Sequence, residues 1–342
     1  MPVDIPAYHA AVAGYDWGRA LTPARTLADE VTGHDRIDKL RELSNIERHL
    51  GDWDAARASM QAAWHHAQSQ GLAMHGGQVM HFAAAADVLG LNDLTAAALT
   101  HLPAHVETPW NTAIMQRRVD AAQATRIRLR GKQVRILPLG QECLPFNILM
   151  KWGFFEFGVD GPFTAGVFPR DCVQLALEDK FAAFLDPEAY RTMRTPQGLD
   201  APLIQRYGCL LNHECGPYYC ADGLAETVRL YTTRTQAAQA ALTGTAQILF
   251  MIERTRFTDL PALLETLFRL YADRHPRVFV LDDGNSEPDE TPIDDPRVTI
   301  LPAPRPSEAY VWHRQDHYST EEGYAYESPM AAALEKLVAE LG

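Results

Sequence analysis

Between Val134 and Gly153 the chain changes its apolar period within one short run, and few folds accommodate that. Val134 to Leu139 is a short apolar stretch with a β-branched start, as a buried strand requires. Leu144, Ile148, Leu149 and Trp152 then recur at helical spacing, with Pro145 in the first turn, where a helix tolerates proline. The run therefore reads as strand, tight turn at Gly140, helix. Cys143 falls at the helix N-terminus, where unpaired N–H groups and the macrodipole favour thiolate over thiol.

The same alternation returns downstream. Residues 246–252, 277–281 and 297–301 are apolar runs of strand length, with a helical pattern over 260–273 and an acidic, proline-containing loop before the last. Strands alternating with helices predict a parallel sheet, so the fold class is α/β, with a three-layer parallel-sheet domain over 131–342. Helices are also expected over 171–184, over 221–241 and from Ser328 to the end. Residues 152–167, rich in Gly, Phe and Pro, read as a long loop at the C-terminal edge of the first strand, where open α/β sheets bind ligands.

Residues 1–130 differ in kind. After an irregular lead-in to about residue 20, the pattern is helical and alanine-rich. Leu40, Leu43, Gly51, Trp53, Ala56 and Ala63 have spacings that resemble a tetratricopeptide repeat, and Asn92 to Ala97 echoes Asp52 to Ala56 about 41 residues on. That spacing exceeds the roughly 34 residues of the repeat class, so an ordinary alanine-rich bundle fits equally. Either form is all-helical and too short to stack alone, so it leans on the rest of the chain or on a protein partner. Leu102 to Trp110, with two prolines, interrupts the helices, and a helix over about 110–125 leads to the second domain.

A formal net charge of -13 opposes general affinity for nucleic acid or an anionic membrane surface. No leader pattern and no apolar run near the ~20 residues of a membrane span occurs, and five cysteines fit a reducing compartment, so the expected location is cytoplasmic.

Leu139-Gly-Gln-Glu-Cys143, with Leu149, Gly153 and Gly161-Pro-Phe163 behind it, resembles the opening of a bacterial family of unknown function described as papain-like cysteine peptidases. The resemblance spans about 134–283. Thr164 and Ala165 stand where the family carries Asp and Trp. It implies a cysteine hydrolase or acyltransferase with Cys143 as nucleophile, and it supports His213, 70 residues downstream, as base. Papain logic also needs an Asn or Asp to orient the imidazole. Asn212, adjacent to His213, would face the other way if this run is a strand, so Asp282 or Asp283, at a strand's C-terminal end, is the expected third member.

The polar-aromatic run from Trp312 to Tyr324 supplies the rivals. It follows the last strand, where SGNH-type esterases, which these pieces also resemble, place a late Asp and His. His313, His317 and Asp316 are thus the alternative set for an esterase acting on a glycan ester, although Asp316 and His317 are adjacent instead of three apart. A plainer reading makes Ser319 or Thr320 the cap of the last helix. Cys209, Cys215, Cys220 and His213 lack the spacing of a structural zinc site, Cys172 reads as core, and Leu139 to Cys143 lacks a phosphate-loop pattern. No cofactor or metal is expected; the substrate is a small molecule, peptide or glycan. The alternative to an enzyme is a non-catalytic scaffold whose helices bind a protein partner.

Overall fold

A computed structural model describes residues 3–140, 142–164, 168–169, 171–254, 259–284 and 293–341. Gln141 and Ala165, quoted in the motifs above, and most of the acidic loop before the last strand lie outside the described residues.

The chain begins with helices α1 (Ile5–Ala13), α2 (Trp17–Glu30), α3 (Gly33–His49), α4 (Trp53–Ser69), α5 (Gly76–Val88), α6 (Asn92–Thr100) and α7 (Thr112–Arg128). The expected irregular lead-in is in fact helical. Asp4 and Asp16 cap α1 and α2 by accepting from Ala7 N and Arg19 N at 3.1 and 3.2 Å, and Tyr8 and Trp17 are buried anchors. Polar residues that looked like loop are caps.

α3 with α4, and α5 with α6, form helical hairpins whose turns carry Gly51 and Gly90 at φ +71° and +68°. Both glycines also need their lack of a side chain. A Cβ on Gly51 would meet Leu230 at 2.7 Å, and one on Gly90 would meet the Met150 carbonyl at 2.8 Å. The hairpin turns are thus pressed against the second half of the chain, and the main apolar core runs through residues of both halves.

That half opens with β1 (Val134–Pro138) and α8 (Leu144–Lys151), followed by α9 (Cys172–Glu178) and α10 (Ala182–Leu185). The single helix expected over 171–184 is broken. Lys180 and Phe181 take φ of +57° and +67°, which lets the Phe181 ring turn into the core, where it is 1% exposed. Cys172 is fully buried, as its pattern predicts.

Sequence reading missed the next three elements, β2 (Tyr190–Arg194), β3 (Asp200–Ile204) and β4 (Cys209–Leu210), a small antiparallel sheet in the order β2-β3-β4. β2 is exposed beyond Tyr190, Pro202 sits inside β3, and β4 has two residues, so no period of two stands out.

α11 (Pro217–Cys220), α12 (Ala225–Thr243), β5 (Gln247–Arg254), α13 (Leu260–Leu270), β6 (Arg277–Asp282), β7 (Val298–Pro302), α14 (Gln315–Tyr318) and α15 (Glu321–Leu341) complete the chain. The closing helix starts well before Ser328 because Thr320 Oγ1 caps it, accepting from Gly323 N at 3.0 Å, and because Pro329 is carried inside it.

β1, β5, β6 and β7 form the predicted parallel sheet in that order. Phe157 to Val159 runs along the outer edge of β1, exchanging hydrogen bonds with Ile136 at 2.8 and 2.9 Å, and so covers strand groups that would otherwise be open. Alternate strand residues enter different apolar clusters. Ile248, Phe250, Val278 and Val280 pack with residues of α9, α12 and α13, whereas Ile136, Leu249, Met251 and Phe279 pack with residues of α8 and α15. Because all four strands run the same way, the starts of α8 and of the segments after β5, β6 and β7 share one edge.

Candidate active site

Cys143 is the N-cap residue of α8, as predicted, and is half-buried on that edge. Asn147 holds the helix start by donating from Nδ2 to the Cys143 carbonyl at 2.8 Å. The thiol meets a residue that sequence reasoning gave no role: Trp312 Nε1 donates to Cys143 Sγ at 3.4 Å, from 169 residues away.

A buried polar network fixes that indole and the end of α8. Lys151, 3% exposed, donates from Nζ to the Trp312 carbonyl at 2.8 Å and pairs with Glu327. Glu327 also accepts from Trp152 Nε1 at 2.9 Å and from the Tyr310 hydroxyl at 3.2 Å. The Lys151 carbonyl in turn accepts from Arg118 Nη1 at 2.7 Å, and Arg118 pairs with Asp87, to which the Tyr318 hydroxyl also donates at 2.7 Å. Each buried charge is partnered, the condition under which such groups persist inside a protein.

Cys143 lines a cavity of about 370 Å³ whose walls also include Arg48, Asn147, Lys151, His213 and His313. His213 arrives by way of the small antiparallel sheet. After β4 the chain turns, with Asn212 N donating to the Leu210 carbonyl at 3.0 Å and Glu214 N to the Leu211 carbonyl at 3.1 Å. Glu214 is then buried against Arg234 at 2.9 Å and Tyr231 at 3.2 Å, which anchors the turn. His313 follows Trp312. Its basicity is lowered by partial burial and by the positive surroundings of His213, Lys151, Arg314 and His317.

The other predicted residues lie elsewhere. Asp282 ends β6 on the correct edge but pairs with Arg254, its register partner on β5, at 3.1 Å, and accepts from Gly284 N; it is not among the residues lining the cavity. Asp283 is buried and likewise off the cavity wall. Asp316 pairs with Arg314, and His317 Nδ1 accepts from Val311 N at 2.9 Å. Neither lines the cavity, so of the alternative set only His313 reaches it. Cys209 is buried in β4 and Cys215 donates to the Asn212 carbonyl at 3.2 Å; all five cysteines are free.

The expected thiolate is reversed in the resting protein. Burial pushes the Cys143 thiol up and outweighs the Trp312 hydrogen bond, which acts the other way, while the charges of Glu253 and Glu142 push it up further. Glu253, 1% exposed at the end of β5, is itself pushed up to about 8, first by burial and then by Glu142, against the opposing charge of Arg305. Arg305 bridges Glu142 at 2.9 Å and Glu253 at 3.4 Å, and lies 4.4 Å over the Trp312 ring. A helix N-terminus favours an anion by up to about 1–2 kcal/mol, too little here against burial and two carboxylates.

No helix among the described residues is long and apolar enough to cross a membrane. Comparison with protein-family models, with curated proteins and with solved structures finds no match to the chain.

Proposed function

We propose that the protein is a cysteine-dependent hydrolase or acyltransferase, with Cys143 as nucleophile and His213 as its base. The observation that carries this reading is that Cys143, at a helix start, shares one cavity with His213 and His313. In the step inferred, the Sγ–H proton passes to the imidazole as sulfur bonds to the acyl carbon. The tetrahedral species expels the leaving group, which takes that proton, and water or an acceptor then cleaves the thioester. In this reading the N–H groups of Leu144 and Phe146, on either side of Pro145 at the start of α8, stabilise the developing oxyanion. A thiol with a raised pKa suits a mechanism in which the base acts during attack and no thiolate is stored beforehand.

The resemblance to papain-like peptidases supports His213. Asp282, held by Arg254, is not needed in the reading, which is a dyad. A second reading makes His313 the base, because the neighbouring Trp312 already contacts the sulfur. We take the α/β part as a three-layer sandwich, from the two clusters that alternate strand residues join, and the hairpins of α3–α4 and α5–α6 as repeat-like.

Incubation with p-nitrophenyl acetate tests the nucleophile. Acetyl groups located by peptide mass spectrometry are expected on Cys143 ahead of the partly exposed Cys215 and Cys220, with a burst of p-nitrophenolate lost in Cys143→Ala. Acetylation of Cys143 no faster than of those two would remove the enzymatic reading and favour the scaffold.

A further inference from the structure

In a chain with a net charge of -13, the described lining of the Cys143 cavity contains no carboxylate. Besides its histidines it contains two basic side chains, both with basicity lowered by burial, and they are not alike. Lys151 is neutralised by Glu327. Arg48, in the last turn of α3, has no carboxylate within ion-pair distance among the described residues. Its Nη2 is used twice, at 3.0 Å to Asn45 Oδ1 and at 3.0 Å to His49 Nε2. Nε and Nη1 have no hydrogen-bond partner among the described residues.

His49 is built to hold that guanidinium. Its ring stacks on Trp17 at 4.3 Å and 5°, and its carbonyl accepts from the Tyr219 hydroxyl. Burial, then the charges of Arg48 and His213, lower its pKa to about 3, so at neutral pH it is an uncharged acceptor and spends none of the arginine's charge. Arg48 and His213 both line the Cys143 cavity and an adjoining one of about 260 Å³. The carboxylate in the second, Glu214, is already consumed by Arg234.

We infer that Arg48, beside His213 on the wall shared by the two cavities, forms the subsite for a carboxylate of the substrate, so that Cys143 acts on a small acyl compound bearing a free carboxyl group. The planar fork with unused donors matches a carboxylate bidentately, and the two volumes suit a small molecule. The inference rests on the proposed function for its link to Cys143, but the anion site is testable without it.

In the full chain carrying Cys143→Ala, the imidazole NMR signals of His49 and His213 would be followed during titration with acetate at constant ionic strength, and separately with inorganic phosphate. Saturable shifts with acetate, about tenfold weaker in Arg48→Gln, are expected. Shifts that follow ionic strength alone overturn the site, and phosphate saturating more tightly than acetate overturns the carboxylate assignment. Should Arg48→Gln fail to fold, Arg48→Lys keeps the charge without the fork and should still weaken acetate; equal affinity would overturn the assignment. With the native thiol, iodoacetate should label Cys143 faster relative to iodoacetamide than it labels Cys215. A saturating anion site with an unreactive Cys143 would sink the nucleophile alone, and a reactive Cys143 with no saturation would sink the subsite alone.

Discussion

Cys143 stands between two regions of opposite character. On the sheet side, Glu142, Glu253 and Asp283 gather at the strand ends, with Arg305 bridging the two glutamates; on the cavity side stand Arg48, His213 and His313, without a carboxylate among the described lining residues. Burial first, and then the charges of the first region, hold the proton on the resting thiol. The second, in the proposed mechanism, takes that proton and holds an anion. A cysteine at a helix start is thus not a stored thiolate by position alone: burial and charged neighbours decide, and in the proposed mechanism activation falls to the base.

The partition between the two regions is Trp312, held through its carbonyl by Lys151, so the strongest way to break the comparison is to orphan that lysine. Glu327→Ala leaves a buried ammonium without its carboxylate and should cost about 3–5 kcal/mol, read as a lower denaturant midpoint. A loss below about 1 kcal/mol would mean that water or another group replaces the pair.

The pH dependence of stability sharpens the contrast, because the two sides slope in opposite directions. Glu253 has its folded pKa raised from 4.5 to about 8, so the folded state holds its proton where the unfolded chain has lost it, and stability falls as pH rises between those values. The shift sets an upper bound of a few kcal/mol, and Glu253→Gln should flatten the slope. His49 has its folded pKa lowered from 6.5 to about 3, so the unfolded chain binds the extra proton and stability is lost as pH falls through that window. His49→Gln should remove the acid loss and leave the alkaline one. Urea titrations at several pH values check both, and matching slopes for the two variants would contradict the assignment.

A smaller effect is expected at the partition itself. Trp312→Phe removes the N–H that favours thiolate, and the pH profile of Cys143 alkylation should move upward by about one unit. A downward move would mean that the indole acts mainly by burying the sulfur.

The sequence made the sheet legible because parallel strands buried on both faces are continuous apolar runs, and it made Cys143 legible because a change of period marks a helix start. It did not reveal β2–β4, whose strands are short, with β2 exposed beyond Tyr190 and Pro202 inside β3, nor the break at Lys180 and Phe181, where a buried ring offsets an unfavourable backbone. Asp282 was placed on the correct edge, but its neighbour across the sheet, Arg254, is decided by register and claims its charge. Trp312, Arg48 and Glu253 reach the site from distant points in the chain, and no local pattern distinguishes an arginine that will lack a carboxylate from one that will not. The absence of carboxylates from the described lining of the Cys143 cavity belongs to the folded surface and to no stretch of sequence.

The most direct test of the account is the rate at which Cys143 is acetylated by p-nitrophenyl acetate at neutral pH in the native protein, in His213→Asn and in His313→Asn. A rate about 10²-fold or more lower in His213→Asn and little changed in His313→Asn is expected, since a thiol with a raised pKa depends on its base during attack. The opposite pattern would transfer the role to His313. Equal rates in all three proteins would contradict proton transfer from Cys143 to a histidine, and with it the central claim.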